Sequence, residues 1–397
     1  MLRRIAHPYI TGVGSSCCSP CPRSRFLDNI VRANHKSKTI GRNTGECCNY
    51  DSRQQDLIRP FISETASPHS TFGNLGYSQM NFLPVLQLAS ITGIWGISFC
   101  LFLFAATVSL LLGRYGRTAE RRQLAIGVGC VFLAVLGFGA WRLYSPATLQ
   151  TVTVGLVASD LRQNILTEGH ADTLRLLREY ASHAETLAEN GAQIIVVPEK
   201  VAVVLDSDLP EVDSLLRSTA ARTGSSIIVG VIHPTTGAKW NEARLYSVAG
   251  TIRTYEKHHM LPIYEGNLTV GIERTEWQEP SGMWGLTICK DMDFPRLSRE
   301  YANDGVGLLL VPAWDLDADG WLHGRMAILR GVESGFSIAR AHKQGVLSVS
   351  DDRGRVLAER STGSAPFVAL VAAVPVQHDS TIYRFTLGSE IGLAGAI

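Results

Sequence analysis

Three side chains of this 397-residue sequence are of the types needed for covalent acyl transfer: Glu199, Lys257 and Cys289. Glu199 directly follows the apolar run IIVVP (Ile194 to Pro198), so its carboxylate emerges at a strand end, where open α/β sheets place their sites. Lys257 lies in TYEKHHMLP, just past a short strand and before a proline-bearing loop. Cys289 ends the strand-like run GLTIC and precedes a helix expected to start at Pro295. A cysteine at such an elbow is expected to expose its sulfur, and a nearby ammonium would lower its pKa from ~8.5 and populate the thiolate. A carboxylate and a lysine beside one thiol supply a general base and an electrostatic stabiliser. Singly, each has a plainer explanation: a core cysteine, a turn glutamate, a solvated lysine.

The surrounding pattern sets all three on an α/β frame. Short β-branched runs (Thr151 to Ala158, Ile194 to Pro198, Ser225 to Ile232, Ala243 to Val248, Gly285 to Cys289, Gly305 to Pro312, Phe367 to Val376) read as strands. Between them, Asp172 to Asn190 carries Leu174, Leu176, Leu177, Tyr180 and Leu187 at near-helical spacing; Glu211 to Arg222, Pro295 to Asn303 and His323 to Ser334 also read as helices. Strands broken by crossover helices imply a layered α/β core.

Composition adds a membrane. The chain balances 37 Lys+Arg against 36 Asp+Glu, so it has no global field for gripping a nucleic-acid backbone, and no nucleic-acid partner is expected. Only 18% of residues are charged, and two stretches account for much of the deficit. Leu88 to Leu112 holds no ionisable side chain except Cys100, and Leu124 to Trp141 is glycine-rich and equally apolar; both are long enough to span ~30 Å of hydrocarbon. The loop between them carries Arg114, Arg117, Arg121 and Arg122 against Glu120. Short basic loops stay in the cytoplasm, which predicts a hairpin of helices at about 88–112 and 124–143 whose outer ends, and the domain that follows, lie on the far side. Residues 1–64 hold five cysteines (Cys17, Cys18, Cys21, Cys47, Cys48) without regular metal-ligand spacing and without hydrophobic periodicity, and read as a poorly specified, disordered extension. The expected order is therefore 1–64 extension, 65–147 membrane region and 151–390 catalytic domain.

Taken together, in the order Glu, Lys, Cys and each at a strand edge, the three residues resemble the triad of the nitrilase, or carbon-nitrogen hydrolase, superfamily over roughly Val152 to Val376. The layout and further motifs narrow the resemblance to its apolipoprotein N-acyltransferase branch. Gly73 to Phe99 looks like that branch's membrane helix entering the active-site side, YEKHHMLPIYE (Tyr255 to Glu265) like its lysine loop with a second glutamate at Glu265, Trp321 to Leu357 like its post-cysteine helix and strand pair, and STIYRFTLGSE (Ser380 to Glu390) like its closing motif.

The resemblance implies a four-layer α-β-β-α sandwich preceded by a transmembrane hairpin. It implies that Glu199 takes the thiol proton, Cys289 attacks a phospholipid ester, and Lys257 stabilises the oxyanion. The thioester would then acylate the α-amino group of a diacylated lipoprotein, in the inner membrane with the catalytic domain on the periplasmic side. Glu265 and Asp291 are the implied supporting residues. Lys290 and Asp291 stand where the branch usually has an aromatic residue and Glu, and Ile263 and Tyr264 where Phe and Gly are usual. The branch also has more spans than the two legible here. No metal or organic cofactor is implied, and no phosphate-binding glycine loop is present. Two other readings use the same residues: a membrane-tethered amidase in which water resolves the thioester, and an inactive membrane-anchored scaffold.

Overall fold

A computed structural model describes residues 70–113, 117–146, 150–315, 319–376 and 378–386. The cysteine-containing extension at 1–64 lies outside the described residues.

Two apolar helices come first, α1 (Ile94–Leu112) and α2 (Thr118–Tyr144), both long and apolar enough to cross a membrane. A glycine at φ +62°, Gly93, separates α1 from the short turn Ala89–Thr92, so the first apolar run is broken where a continuous helix from 88 was expected. The second helix starts six residues earlier than its apolar core, because Glu120 accepts from the Arg117 backbone N–H at 3.0 Å and caps it. Phe99, Phe102, Phe104, Leu110, Leu112 and Leu133 are exposed on these helices, as side chains facing lipid would be.

The catalytic frame contains thirteen strands among the described residues: β1 (Thr151–Ala158), β2 (Ile194–Val196), β3 (Ala202–Val203), β4 (Ser226–Thr235), β5 (Ala238–Tyr246), β6 (Ile252–Glu256), β7 (Thr275–Glu279), β8 (Gly282–Leu286), β9 (Val306–Trp314), β10 (Ser337–Lys343), β11 (Val346–Ser350), β12 (Val356–Ser361) and β13 (Val368–Pro375). One sheet runs β13-β1-β2-β4-β5-β6 with β3 on β4; the other runs β12-β11-β10-β9-β8-β7. Each has a parallel centre (β1, β2, β4; β8, β9, β10) flanked by antiparallel edges. Inward residues of both, among them Val154, Leu156, Val196, Leu286, Leu308, Leu310 and Ala339, share one buried cluster. Helices α3 (His170–Glu189) and α4 (Leu209–Thr223) cover the outside of the first sheet through Leu174, Leu177, Val212 and Leu216. After the single turn α5 (Pro262–Glu265), helices α6 (Pro295–Asn303) and α7 (Gly320–Ser334) cover the second through Leu297, Tyr301 and Ala327. The result is the four-layer α-β-β-α sandwich.

The membrane region is packed onto this sandwich rather than tethered to it. Tyr77, Met80, Leu86, Ile94 and Ile97 share a buried cluster with Met326, Leu329 and Val332 of α7. A Cβ at Gly139 of α2 would lie 1.9 Å from the Pro84 carbonyl oxygen, so only glycine allows that approach. Buried polar ties reinforce the contact. Arg142 donates to Gln87 Oε1 at 2.6 Å and to Asp379 Oδ2 at 3.2 Å, Gln87 donates to the Arg353 carbonyl at 2.9 Å, and Glu333 Oε1 accepts from the Ile94 N–H at 2.9 Å. Arg142→Met, which keeps the apolar stem and deletes the bonds to Gln87 and Asp379, is expected to cost about 2 kcal/mol. It should appear as a lower melting temperature in detergent, with the triad residues untouched.

Candidate active site

The three residues singled out in the sequence converge where the two sheets present their strand ends. Glu199 leaves the end of β2, and its backbone N–H reaches across to the Ala313 carbonyl of β9 at 3.4 Å, hooking one sheet onto the other. The bend continues through Lys200, at φ +51°. Beneath it, a Cβ at Gly230 of β4 would lie 2.5 Å from the Glu199 Cα, so glycine there sets how deep the elbow sits. Lys257 follows β6 directly. Cys289 opens a one-turn 3-10 helix with φ +43°, a left-handed conformation unfavourable for a non-glycine residue. The strand leading to it stops at Leu286, three residues short of the cysteine that the run GLTIC placed at its end.

All three side chains are buried, and so is Glu265. Lys257 Nζ donates to Glu199 Oε1 at 2.9 Å and to Glu265 Oε2 at 2.9 Å, while Asn241 donates to Glu199 Oε1 at 2.6 Å and to Glu265 Oε1 at 3.0 Å. Lys200 adds a second ammonium, 2.5 Å from Glu265 Oε1 and 3.5 Å from Glu199 Oε1. Two carboxylates thus face two ammonium groups. Glu199 Oε2 has no hydrogen-bond partner among the described residues, so one lone-pair face of this carboxylate is free to receive a proton. The Cys289 thiol donates toward the Trp314 carbonyl at 3.4 Å and Asp315 Oδ1 at 3.6 Å.

The electrostatics differ from the sequence expectation. Burial pushes the Cys289 thiol well above the ordinary range, the Glu199 and Asp315 carboxylates push it further, and Lys257 and Arg340 offset only part of this. Cys289 is not exposed as expected but buried, 7% accessible, and the raised pKa favours the S–H form. Burial alone would also raise the Glu199 carboxyl, but Lys200 and Lys257, with the bonds from Lys257 and Asn241, outweigh it and hold Glu199 at about 2. Burial works against the charged Lys257, but Glu199, Cys289 and Glu265 overcome it and keep the ammonium. The resting arrangement is S–H, carboxylate and ammonium, in which thiolate forms only as the proton moves.

This yields a pH prediction with a definite sign. With Glu199 as the expected proton acceptor, the acid limb of kcat/KM should lie far below the ordinary glutamate value of ~4.3. Lys200→Met removes the largest stabilising charge, so the limb should move upward toward that value. A profile that does not move would show that Lys200 leaves the base untouched.

Asp291 is close by but serves a different purpose. It accepts from Tyr255 Oη at 2.8 Å and from the His259 N–H at 2.8 Å and Nδ1 at 2.9 Å, so it ties the lysine loop to the cysteine turn without bonding the three central side chains. The His259 ring also stacks on Phe294 at 3.7 Å. Sequence reading did not find Lys200, Asn241, Asp315, Arg340 or Lys343, all of which touch the site or its immediate supports. Lys200 adjoins Glu199 and could have been found by adjacency; the others lie on distant strands with no local signal.

A cavity of about 530 Å³ opens beside Cys289, walled by Phe72, Lys257, Ile263, Tyr264, Trp314 and His323 among others. Phe72 comes from the segment that leads into the membrane helices. Ile263 and Tyr264 are largely exposed. Among the described residues no group of three or more His, Cys, Asp or Glu side chains is placed to hold a metal ion.

A profile of the carbon-nitrogen hydrolase family matches residues 158–383, more than half of the chain, and the chain belongs to that family. Residues 63–107 match the apolipoprotein N-acyltransferase N-terminal domain. Curated apolipoprotein N-acyltransferases from Geobacter metallireducens (25% identity, covering 72% of this chain and 60% of the relative) and Haemophilus ducreyi (24%, covering 78% and 68%) are similar to it. That from Brucella melitensis is 26% identical, over 71% of this chain and 59% of its own length. The chain thus spans about three fifths of the length of several of these relatives. Solved structures of the amidase from Nesterenkonia sp. AN1 superpose with a TM-score of 0.52 at 20% identity, covering 62% of this chain and 97% of the amidase in one case. That likeness shows the fold.

Proposed function

We propose that this chain is a membrane-bound N-acyltransferase that carries a fatty acyl group from a phospholipid, through a thioester on Cys289, to the N-terminal amine of a diacylated lipoprotein. The observation that carries the reading is the cavity at Cys289, whose wall is completed by Phe72 from the membrane region and by exposed apolar side chains of the lysine loop. A pocket built jointly by a membrane segment and a thiol elbow suits a substrate with both an ester and a long acyl chain. A small-amide hydrolase needs no such wall.

In this reading Glu199 takes the Cys289 proton through its unpartnered oxygen as sulfur attacks the ester carbonyl, and Lys257 stabilises the resulting oxyanion. Collapse releases the lysophospholipid alkoxide, which takes the proton back from Glu199. Glu265 fixes Lys257, and Asp291 fixes the loop that carries it. The arginine loop would lie in the cytoplasm, with the sandwich at the outer, periplasmic face of the inner membrane.

The test is the intact mass of the detergent-purified chain after incubation with phospholipid. An acyl adduct that hydroxylamine removes, and that Cys289→Ala abolishes, is the expected result. A thiol that alkylates but never acylates would reject the phospholipid donor and favour the hydrolase.

A further inference from the structure

The acceptor in an N-acyl transfer arrives as an ammonium and must lose two protons: one restores the sulfur as S–H, and the other goes to water. Glu199 can account for the first. The second calls for another group beside the thioester, and the structure holds one that the family triad does not include.

Asp315 directly follows β9, in the same sheet as the β8 that leads to Cys289, whereas Glu199 and Lys257 follow strands of the facing sheet. Its carboxylate is buried and held by Arg340 Nη2 at 2.8 and 2.7 Å. Asp315 Oδ1 is also one of two acceptors facing the Cys289 thiol, at 3.6 Å beside the Trp314 carbonyl at 3.4 Å. Acylation removes that S–H donor, which leaves an ionised oxygen beside the thioester with an open lone-pair position. His323, which lines the same cavity, has Nδ1 3.9 Å from Asp315 Oδ1 and is partly exposed.

Building on the acyltransferase reading, we propose that Asp315 is the acceptor-side carboxylate. It binds the primary ammonium of the acceptor beside the Cys289 thioester, and His323 takes the surplus proton to water. The ammonium gives one proton to His323, and the free amine attacks the thioester carbonyl while its second departing proton passes to Glu199. Collapse breaks the C–S bond, and the expelled sulfur recovers that proton from Glu199. Amide, thiol and one proton to solvent balance the step. Phospholipid loading requires no ammonium, so Asp315 acts as a selector of the acceptor.

The experiment is a competition for one thioester pool. The full chain in detergent is loaded with phospholipid, then exposed together to a peptide bearing an N-terminal S-diacylglyceryl cysteine and to hydroxylamine, which is largely uncharged at neutral pH. The ratio of amide to hydroxamate is independent of how much enzyme loads. Asp315→Asn should lower this ratio about tenfold to a hundredfold, the effect of losing one charge-assisted hydrogen bond. Asp315→Glu should retain most of it. If Asp315→Asn does not fold because Arg340 is left unpaired, the Asp315→Asn/Arg340→Met double variant removes both charges and should give the same fall. An unchanged ratio overturns this proposal alone. A wild-type chain that loads but is discharged only by water or hydroxylamine overturns the transferase reading and this proposal with it.

Discussion

Glu199→Gln should abolish turnover while making Cys289 more reactive toward iodoacetamide, two effects of opposite sign from one substitution. The isosteric amide cannot take the thiol proton, so acylation is expected to fall by on the order of 10³–10⁴. The Glu199 charge is also one of the main causes of the raised thiol pKa, while Lys257 and Arg340 work in the other direction. With the carboxylate gone, the balance at sulfur shifts toward thiolate. The alkylation rate of the wild type should keep rising through the ordinary cysteine range with no plateau near ~8.5, and the variant's curve should lie at lower pH. An inactive variant whose alkylation is slowed in parallel would show that Glu199 acts only by holding the site together. Some loss of stability is expected as well, because Lys200 and Lys257 would then share the single carboxylate Glu265.

Cys289→Ala should remove all thioester formation and reduce acyl transfer by on the order of 10⁴ or more, leaving what binding and the remaining charges supply. A comparison with Cys289→Gly adds structural information. Residue 289 stands at φ +43°, which glycine adopts freely and alanine does not. Both variants should be inactive, and the glycine one should be more stable than the alanine one by about 1 kcal/mol, read as a higher denaturation midpoint in the same detergent. Equal stabilities would mean that the elbow stores no strain. Residual turnover in either variant would remove Cys289 from its proposed place.

Much of the frame was legible in local sequence because local forces set it. The β-branched runs became β1, β2, β4 and β13 nearly as read; the central β1, β2 and β4 lie in the buried parallel part of the sheet, where a strand needs little but apolar side chains. The helix at Pro295 begins at its proline because the fixed φ suits a first turn. Strands that escaped a residue-level reading include the edge strands β7, with Thr275, Glu276 and Gln278, and β12, with Glu359 and Arg360, whose polar faces find their pairing partners only by folding, and the buried central strand β10, whose Arg340, His342 and Lys343 break the apolar pattern.

The site divides along the same line. Glu199, Lys257 and Cys289 were identifiable because each marks a strand-to-loop transition, a feature written in neighbouring residues. Glu265 and Asp291 came from the resemblance, and the structure gives them different places: one on the lysine, the other on its loop. The sequence by itself determined the residue types, their order, the hairpin and the layered class. Only the tertiary structure decided the charge state of the thiol, because burial and carboxylates from both sheets outweigh the ammonium that the sequence suggested would lower its pKa. It likewise decided that Phe72, from the segment leading into the apolar helices, lines the cavity beside Cys289, and that Lys200, Asn241 and Asp315 contact Glu199, Glu265 or Cys289. These contacts join residues tens to hundreds of positions apart, and electrostatic energy depends on their separation and burial, which linear spacing does not encode.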